Sequence, residues 1–186
     1  MFATALRRLL RRLSGRDASR PAPGEAQEHL ARGKTLSEAG QHAEASVAYA
    51  RAATLKPDYA EAHFRLGLAW RDQHKYSAAA TSYRSALTLR PDYIEAHNNL
   101  GAVLQLQGKL SEALASYRSA VELNPDFSQP YLNFGRLLEA FGDGAGAARV
   151  YRHAMARGIE PETFRDLANA LARYTSAHAA NARDAP

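Results

Sequence analysis

Three histidines, His29, His63 and His97, stand 34 residues apart and invite a metal reading. Zinc bonds to imidazole nitrogen are about 2 Å long. If each histidine occupies the same point of a repeated helical unit, successive rings lie roughly a helix diameter, about 10 Å, apart. One ion cannot bridge that gap, so the spacing points to packing, and no metal is expected. Gly142-Asp143-Gly144-Ala145-Gly146 has the glycine density of a phosphate loop. It lacks the Lys-Ser/Thr ending that reaches the phosphates and their metal. The sequence has no cysteine, which excludes disulfides, thiolate zinc sites and a thiol nucleophile. No catalytic constellation and no cofactor site assemble from these residues, and the expectation is a protein that is not an enzyme.

The elements that carry these residues follow from a strict echo. Tyr49, Tyr83, Tyr117 and Tyr151 are each 34 residues apart, as are Gly33, Gly67, Gly101 and Gly135, and Ala45, Ala79, Ala113 and Ala147. Pro57, Pro91 and Pro125 keep the same spacing. Residue types locked in phase at this period indicate stacked helix pairs, each burying its apolar side against its neighbours. Abundant alanine favours helix throughout.

The pairs are placed at 26–59, 60–93, 94–127 and 128–161. In each, a first helix ends near Gly40, His74, Gly108 or Gly142, where glycine supplies the positive φ of a C-cap. His74 predicts a less relaxed turn. A second helix carries the Ala and Tyr of the echo and ends at Pro-Asp, since proline cannot continue a helix but suits the first turn of the next. The fourth repeat carries two extra residues near Gly158-Ile159. A capping helix over 162–176 then brings Phe164, Leu167, Ala168, Leu171 and Tyr174 toward the array, with Arg165, Asp166 and Arg173 facing water. Residues 177–186 form a flexible tail. Glu61 and Glu95 read as solvated acids favouring their helix N-termini.

These residues resemble the tetratricopeptide repeat. The second repeat reads His63, Leu66-Gly67, Trp70, Ala79, Tyr83, Ala86, Pro91, and the third reads His97, Leu100-Gly101, Leu104, Ala113, Tyr117, Ala120, Pro125. The resemblance implies an all-α fold, a right-handed superhelical solenoid whose first helices line a concave groove. The stretch Pro91-Asp92-Tyr93-Ile94-Glu95-Ala96-His97-Asn98-Asn99-Leu100-Gly101 is similar to the repeats of O-linked N-acetylglucosamine transferases. Those repeats carry a ladder of asparagines that binds peptide backbone, because one amide offers both donors and acceptors. The matching positions here are Arg65, Asn99, Asn133 and, past the insertion, Asn169, with Ala31 in the first repeat. The implied groove walls are Lys34, Glu38, Phe64, Leu68, Arg71, Asn98, Gln105, Leu132, Arg136 and Glu139. Another tetratricopeptide class clamps a C-terminal carboxylate, but several of its cationic positions fall here on Leu30, Glu61, Glu95 or Gln129, which argues against that clamp.

The net charge of +5 sits at one end. Residues 1–24 hold Arg7, Arg8, Arg11, Arg12, Arg16 and Arg20 against Asp17, and the other 162 residues carry 18 basic and 18 acidic side chains. A neutral repeat body argues against nucleic acid. Residues 1–14 read as a basic amphipathic helix, with Phe2, Leu6, Leu9, Leu10 and Leu13 on one side and Arg7, Arg8, Arg11 and Arg12 around the rest. Such a helix suits an anionic membrane surface or a partner protein; a mitochondrial presequence and a disordered tail are the alternatives. A linker over 15–25 follows. No apolar run approaches the length that spans a bilayer. The expectation is a cytoplasmic adaptor, peripheral at a membrane through its arm, that holds an extended segment of a partner protein. The alternative is a substrate-recruiting component of a glycosyltransferase-like or other modifying enzyme whose catalytic part lies on another polypeptide. Self-association through the solenoid ends is a third.

Overall fold

A computed structural model describes Ala22, residues 24–158, Asn169 and Ala172. The expected arm, most of the linker, the capping helix apart from two positions, and the tail lie outside the described residues. Eight helices form the described body. They are α1 (Glu25–Glu38), α2 (His42–Leu55), α3 (Ala60–Asp72), α4 (Tyr76–Leu89), α5 (Ile94–Leu106), α6 (Leu110–Leu123), α7 (Ser128–Ala140) and α8 (Gly144–Ala156). There is no strand among the described residues. Each helix packs on its neighbours in sequence, and the first helices of successive pairs, α3 with α5 and α5 with α7, also touch. Successive second helices lie farther apart. The stack therefore bends toward its first helices, which form the concave side.

The turn inside each pair has one geometry. Gly40, His74, Gly108 and Gly142 take φ of 74°, 59°, 72° and 80°. The next N–H then reaches back to the first helix: Gln41 to Leu36, Lys75 to Trp70, Lys109 to Leu104 and Asp143 to Leu138, each at 2.9 Å. This bond satisfies a carbonyl that the helix end would otherwise leave open. His74 holds the left-handed conformation with a Cβ, at a strain of about 1–2 kcal/mol. A 2.9 Å hydrogen bond between its Nδ1 and the Tyr76 hydroxyl offsets part of that.

The two helices of a pair meet at the glycine. A Cβ on Gly33 or Gly67 would lie 2.5 Å from the ring of Tyr49 or Tyr83, and one on Gly101 would lie 2.7 Å from that of Tyr117. Tyr151 closes on Gly135 in the same way. All four rings are buried, and Ala45, Ala79, Ala113 and Ala147 have no exposed surface. Burying such a ring stabilises the fold by about 1.5–3 kcal/mol. Between pairs, His63 Nε2 donates to the Pro57 carbonyl at 3.0 Å and His97 Nε2 to that of Pro91 at 2.8 Å. His63 and His97 thus fasten α3 and α5 to the preceding turn, whereas His29 Nε2 lies 4.0 Å from Glu25 of its own helix, and the same position of the fourth pair is the buried Tyr131.

Gly101→Ala should lower the unfolding free energy by about 1–3 kcal/mol through overpacking against Tyr117, read from the denaturant midpoint. Alkaline pH tests the same contact. Burial pushes the Tyr117 phenol up to about 12 and raises that of Tyr83 in the same direction. An unfolded tyrosine loses its proton near pH 10. Between pH 10 and 12 the folded state keeps a proton that the unfolded state has released. Stability is intact below pH 10 and falls across that window, by up to about 1.4 kcal/mol per pH unit for each such ring. Tyrosinate absorbance should therefore appear together with the loss of helical circular dichroism.

Candidate functional site

The concave face is assembled from one register. Arg65, Asn99 and Asn133 are each the sixth residue of their first helix, α3, α5 and α7. The 34-residue phase brings them to adjacent helices that touch, so they form successive rungs along the inner face.

The rungs are already tied to one another's surroundings. Arg71 is half-buried; its Nε and one terminal nitrogen donate to Asp72 Oδ1 at 2.9 and 2.7 Å, and its other terminal nitrogen donates to Asn99 Oδ1 at 2.7 Å. Asn99 Nδ2 donates to the Glu95 carbonyl one turn back at 2.7 Å. One repeat farther, Asn133 Nδ2 donates to Asn98 Oδ1 at 3.0 Å, and Asn133 Oδ1 accepts from Gln129 Nε2 at 3.2 Å. Each ladder amide has thus committed one N–H and one lone pair. Since a carboxamide has two of each, Asn99 and Asn133 both retain one donor and one acceptor. Both side chains are half-buried.

The upstream end is ionic. Lys34 of α1 pairs with Glu61 of α3 at 2.7 Å, and Arg65 Nε lies 3.6 Å from the same carboxylate oxygen. The Lys34 hydrogen bond, helped by the Arg65 charge, holds the Glu61 carboxyl below the usual carboxylate range. Glu61 is therefore a bridging acid between two repeats rather than the solvated first-turn acid that its position predicts. The spacing that repeats Tyr, Gly and Ala could not reveal this, because the Lys34 position is Leu68 in the second repeat and Ala102 in the third.

Two expected wall residues are core instead. Phe64 is 7% exposed, its ring centroid 4.6 Å from that of Tyr93 and 5.8 Å from that of Tyr83. Leu132 is 5% exposed and packs beside Tyr131 and Tyr151. Asn98 shares their register, and it too is buried, reaching the site only through Asn133. Leu68 is half-buried against the core. Gln105 is exposed and accepts a 3.1 Å hydrogen bond from the Tyr117 hydroxyl. Arg136, Glu38 and Asn169 are exposed and Glu139 is half-buried. Gln73 is a link that sequence reasoning missed; its Nε2 donates to the His42 carbonyl of the preceding repeat at 2.8 Å. The recurrence of glutamine as Gln73 and Gln107, 34 apart, was the available signal.

Among the described residues no cluster of histidines and acids is arranged to hold a metal ion. In the Gly142–Gly146 turn, Asp143 Oδ1 accepts from the Gly146 N–H at 2.8 Å, placing a carboxylate where a phosphate would need the helix N-terminus. No helix among the described residues is long and apolar enough to cross a membrane.

Antiparallel helix pairs in a bent stack, locked by a glycine–tyrosine contact and open along one inner face, define a helical-repeat solenoid. A family model described as TPR repeat matches residues 33–73 and 69–108, and one described as Tetratricopeptide repeat matches 94–127, so that together they span about half of the chain. The chain belongs to the tetratricopeptide-repeat family. No curated protein sequence matches it. Among solved structures, a crystal structure of MamA is similar at 24% identity and a TM-score of 0.70, over 80% of this chain and 83% of that one. A second MamA structure is similar at 25% identity and a TM-score of 0.68, over 72% and 73%. The first tetratricopeptide domain of Spaghetti (RPAP3), solved bound to the HSP90 peptide SRMEEVD, is similar at 20% identity and a TM-score of 0.64, over 67% and 98%. These likenesses are likenesses of fold.

Proposed function

We propose that this protein is a non-enzymatic adaptor whose concave face holds an extended segment of a partner protein. The observation that carries the reading is the pair of ladder amides. Asn99 and Asn133 stand in the same register on touching helices, each with one donor and one acceptor uncommitted and its orientation set by Arg71 or Asn98. An extended backbone presents alternating N–H and C=O groups, so a pre-oriented amide can pair with it whatever its sequence. The resemblance of residues 91–101 to the ladder repeats of O-linked N-acetylglucosamine transferases supports the same use, as does a peptide bound to the Spaghetti (RPAP3) domain of like fold. Lys34, Arg65, Arg71, Gln105, Arg136 and Asn169 would complete the contact surface, with Leu68 at its edge. The basic arm, residues 1–14, would attach the adaptor to an anionic membrane surface through Phe2, Leu6 and Leu9 beneath Arg7, Arg8, Arg11 and Arg12.

Selection from a random dodecapeptide display library should yield peptides that bind the full-length protein. The same peptides should lose about tenfold or more in affinity to the Asn99→Ala/Asn133→Ala double variant, whose helical circular dichroism should be unchanged. Equal binding by the double variant would remove the amides from the site, and loss of helix would make them structural. Sedimentation with phosphatidylserine vesicles should carry down the full-length protein at low salt but not a variant lacking residues 1–24. Equal sedimentation of both would rule out the arm as the attachment.

A further inference from the structure

We propose that Asp72 is the positioning residue of the ladder amide Asn99, and that protonation of His42 tightens its hold and so regulates the groove. This rests on the extended-segment reading above and adds its regulation. A line of side chains runs from the first repeat to the third. His42, the first residue of α2, turns Nδ1 toward Asp72 of α3, 3.8 Å from Oδ2. The other carboxylate oxygen of Asp72 accepts two bonds from Arg71, at 2.9 and 2.7 Å. The remaining Arg71 nitrogen donates to Asn99 Oδ1 at 2.7 Å, and Asn99 in turn rests on the Glu95 carbonyl. A side chain-to-backbone bond crosses the same joint, since Gln73 Nε2 donates to the His42 carbonyl at 2.8 Å. The repeat itself does not demand this cluster. The His42 position reads Tyr76, Leu110 and Gly144 in the other repeats, and the Asp72 position reads Glu38, Leu106 and Ala140.

The weak link of the line is its first. His42 Nδ1 is buried and has no hydrogen-bond partner among the described residues, and 3.8 Å is too long for one. A neutral ring with its proton on Nε2 turns a lone pair toward the carboxylate, which repels it. An imidazolium carries N–H on both nitrogens. It can close on Oδ2 as a charge-assisted bond and hold Asp72 at both oxygens. A carboxylate held at both oxygens fixes the guanidinium, and the guanidinium fixes the amide. A partner segment then meets an amide already oriented. The other charges nearby are engaged elsewhere or form no pair with the ring. Arg71 of α3 is committed to Asp72 and Asn99. Lys75, beyond the turn, is bound to Gln73 Oε1 at 2.9 Å and lies over the Trp70 ring. Glu38 of α1 and Glu44 of α2 form no ion pair with His42 among the described residues. The N-terminus of α2 opposes a cation at its first residue, and the Asp72 carboxylate offsets that. An imidazole ordinarily changes charge between about pH 5 and 8. The groove should hold its segment more tightly at the acid end of that range and lose the gain as pH rises.

The test uses the isotope-labelled full-length protein. The side-chain amide signals of Asn99, identified by their loss in Asn99→Ser, are followed by NMR from about pH 5 to about pH 8 together with the ring signals of His42. In the wild type the Asn99 signals should move with the His42 ring. In Asp72→Asn and Arg71→Gln, with helix content unchanged by circular dichroism, the ring should still titrate while Asn99 no longer follows it. His97 lies on the helix of Asn99, so His42→Gln is the control. Movement of Asn99 that is equally large in His42→Gln belongs to His97 and overturns the proposal, as does movement that persists in Asp72→Asn. Histidine-free peptides selected on the wild type from the dodecapeptide library are then measured at both ends of the range. Those that need Asn99 and Asn133 should bind the wild type about three- to fivefold more tightly at the acid end. His42→Gln should bind them alike at both ends. Equal wild-type affinity at both ends overturns the proposal and leaves the groove reading standing. A library yielding no peptide that depends on Asn99 and Asn133 overturns both.

Discussion

Everything in this protein depends on how closely two helices can approach at one glycine. The ring of Tyr117 occupies the space that a Cβ on Gly101 would fill, and the same holds in the other three pairs. That contact fixes the distance between the helices of a pair, and the alanines at the echo positions let the neighbouring surfaces close without voids. Because the four contacts are the same, the four pairs are nearly congruent, and stacking congruent units gives a regular spacing of first helices. A ladder of groups on those helices is a by-product of the regularity.

The functional face uses this frame in a different way from the core. Core positions repeat with little change, whereas inner-face positions vary: the ladder register reads Ala31, Arg65, Asn99 and Asn133. Variation on a constant spacing turns the groove into a row of distinct rungs. The links between rungs, Lys34 to Glu61, Arg71 to Asn99 and Asn98 to Asn133, each cross from one repeat to the next. They orient the amides before any ligand arrives, which reduces the ordering cost of binding.

How much of this was legible in the sequence follows from the same division. The fold was readable because Gly, Ala, Tyr and Pro are demanded by sterics at each recurrence, and sterics repeat. The positive φ of His74 was readable for the same reason, since Gly40, Gly108 and Gly142 marked the position. The site was readable only as a register. Phe64 and Leu132 sit in that region but turn into the core, because a large apolar side chain beside the ladder finds the ring of Tyr93 or Tyr151 more readily than water. The pairing of Arg71 with Asn99 depends on a residue unlike its counterparts Ser37, Gln105 and Glu139, so no period predicts it. Glu61 was misread as solvated for want of its partner Lys34.

The bend of the stack has a mechanical side. First helices touch across repeats and second helices do not approach as closely, so opening the curve stretches the inner face most. The bonds that would stretch are half-exposed pairs between polar side chains, individually worth about 1 kcal/mol or less and weakened by salt. The contacts that would not change are the glycine–tyrosine locks inside each pair. The solenoid is accordingly a spring with stiff coils and compliant joints. Its curvature is the soft coordinate, and whatever lies along the inner face sets the tension.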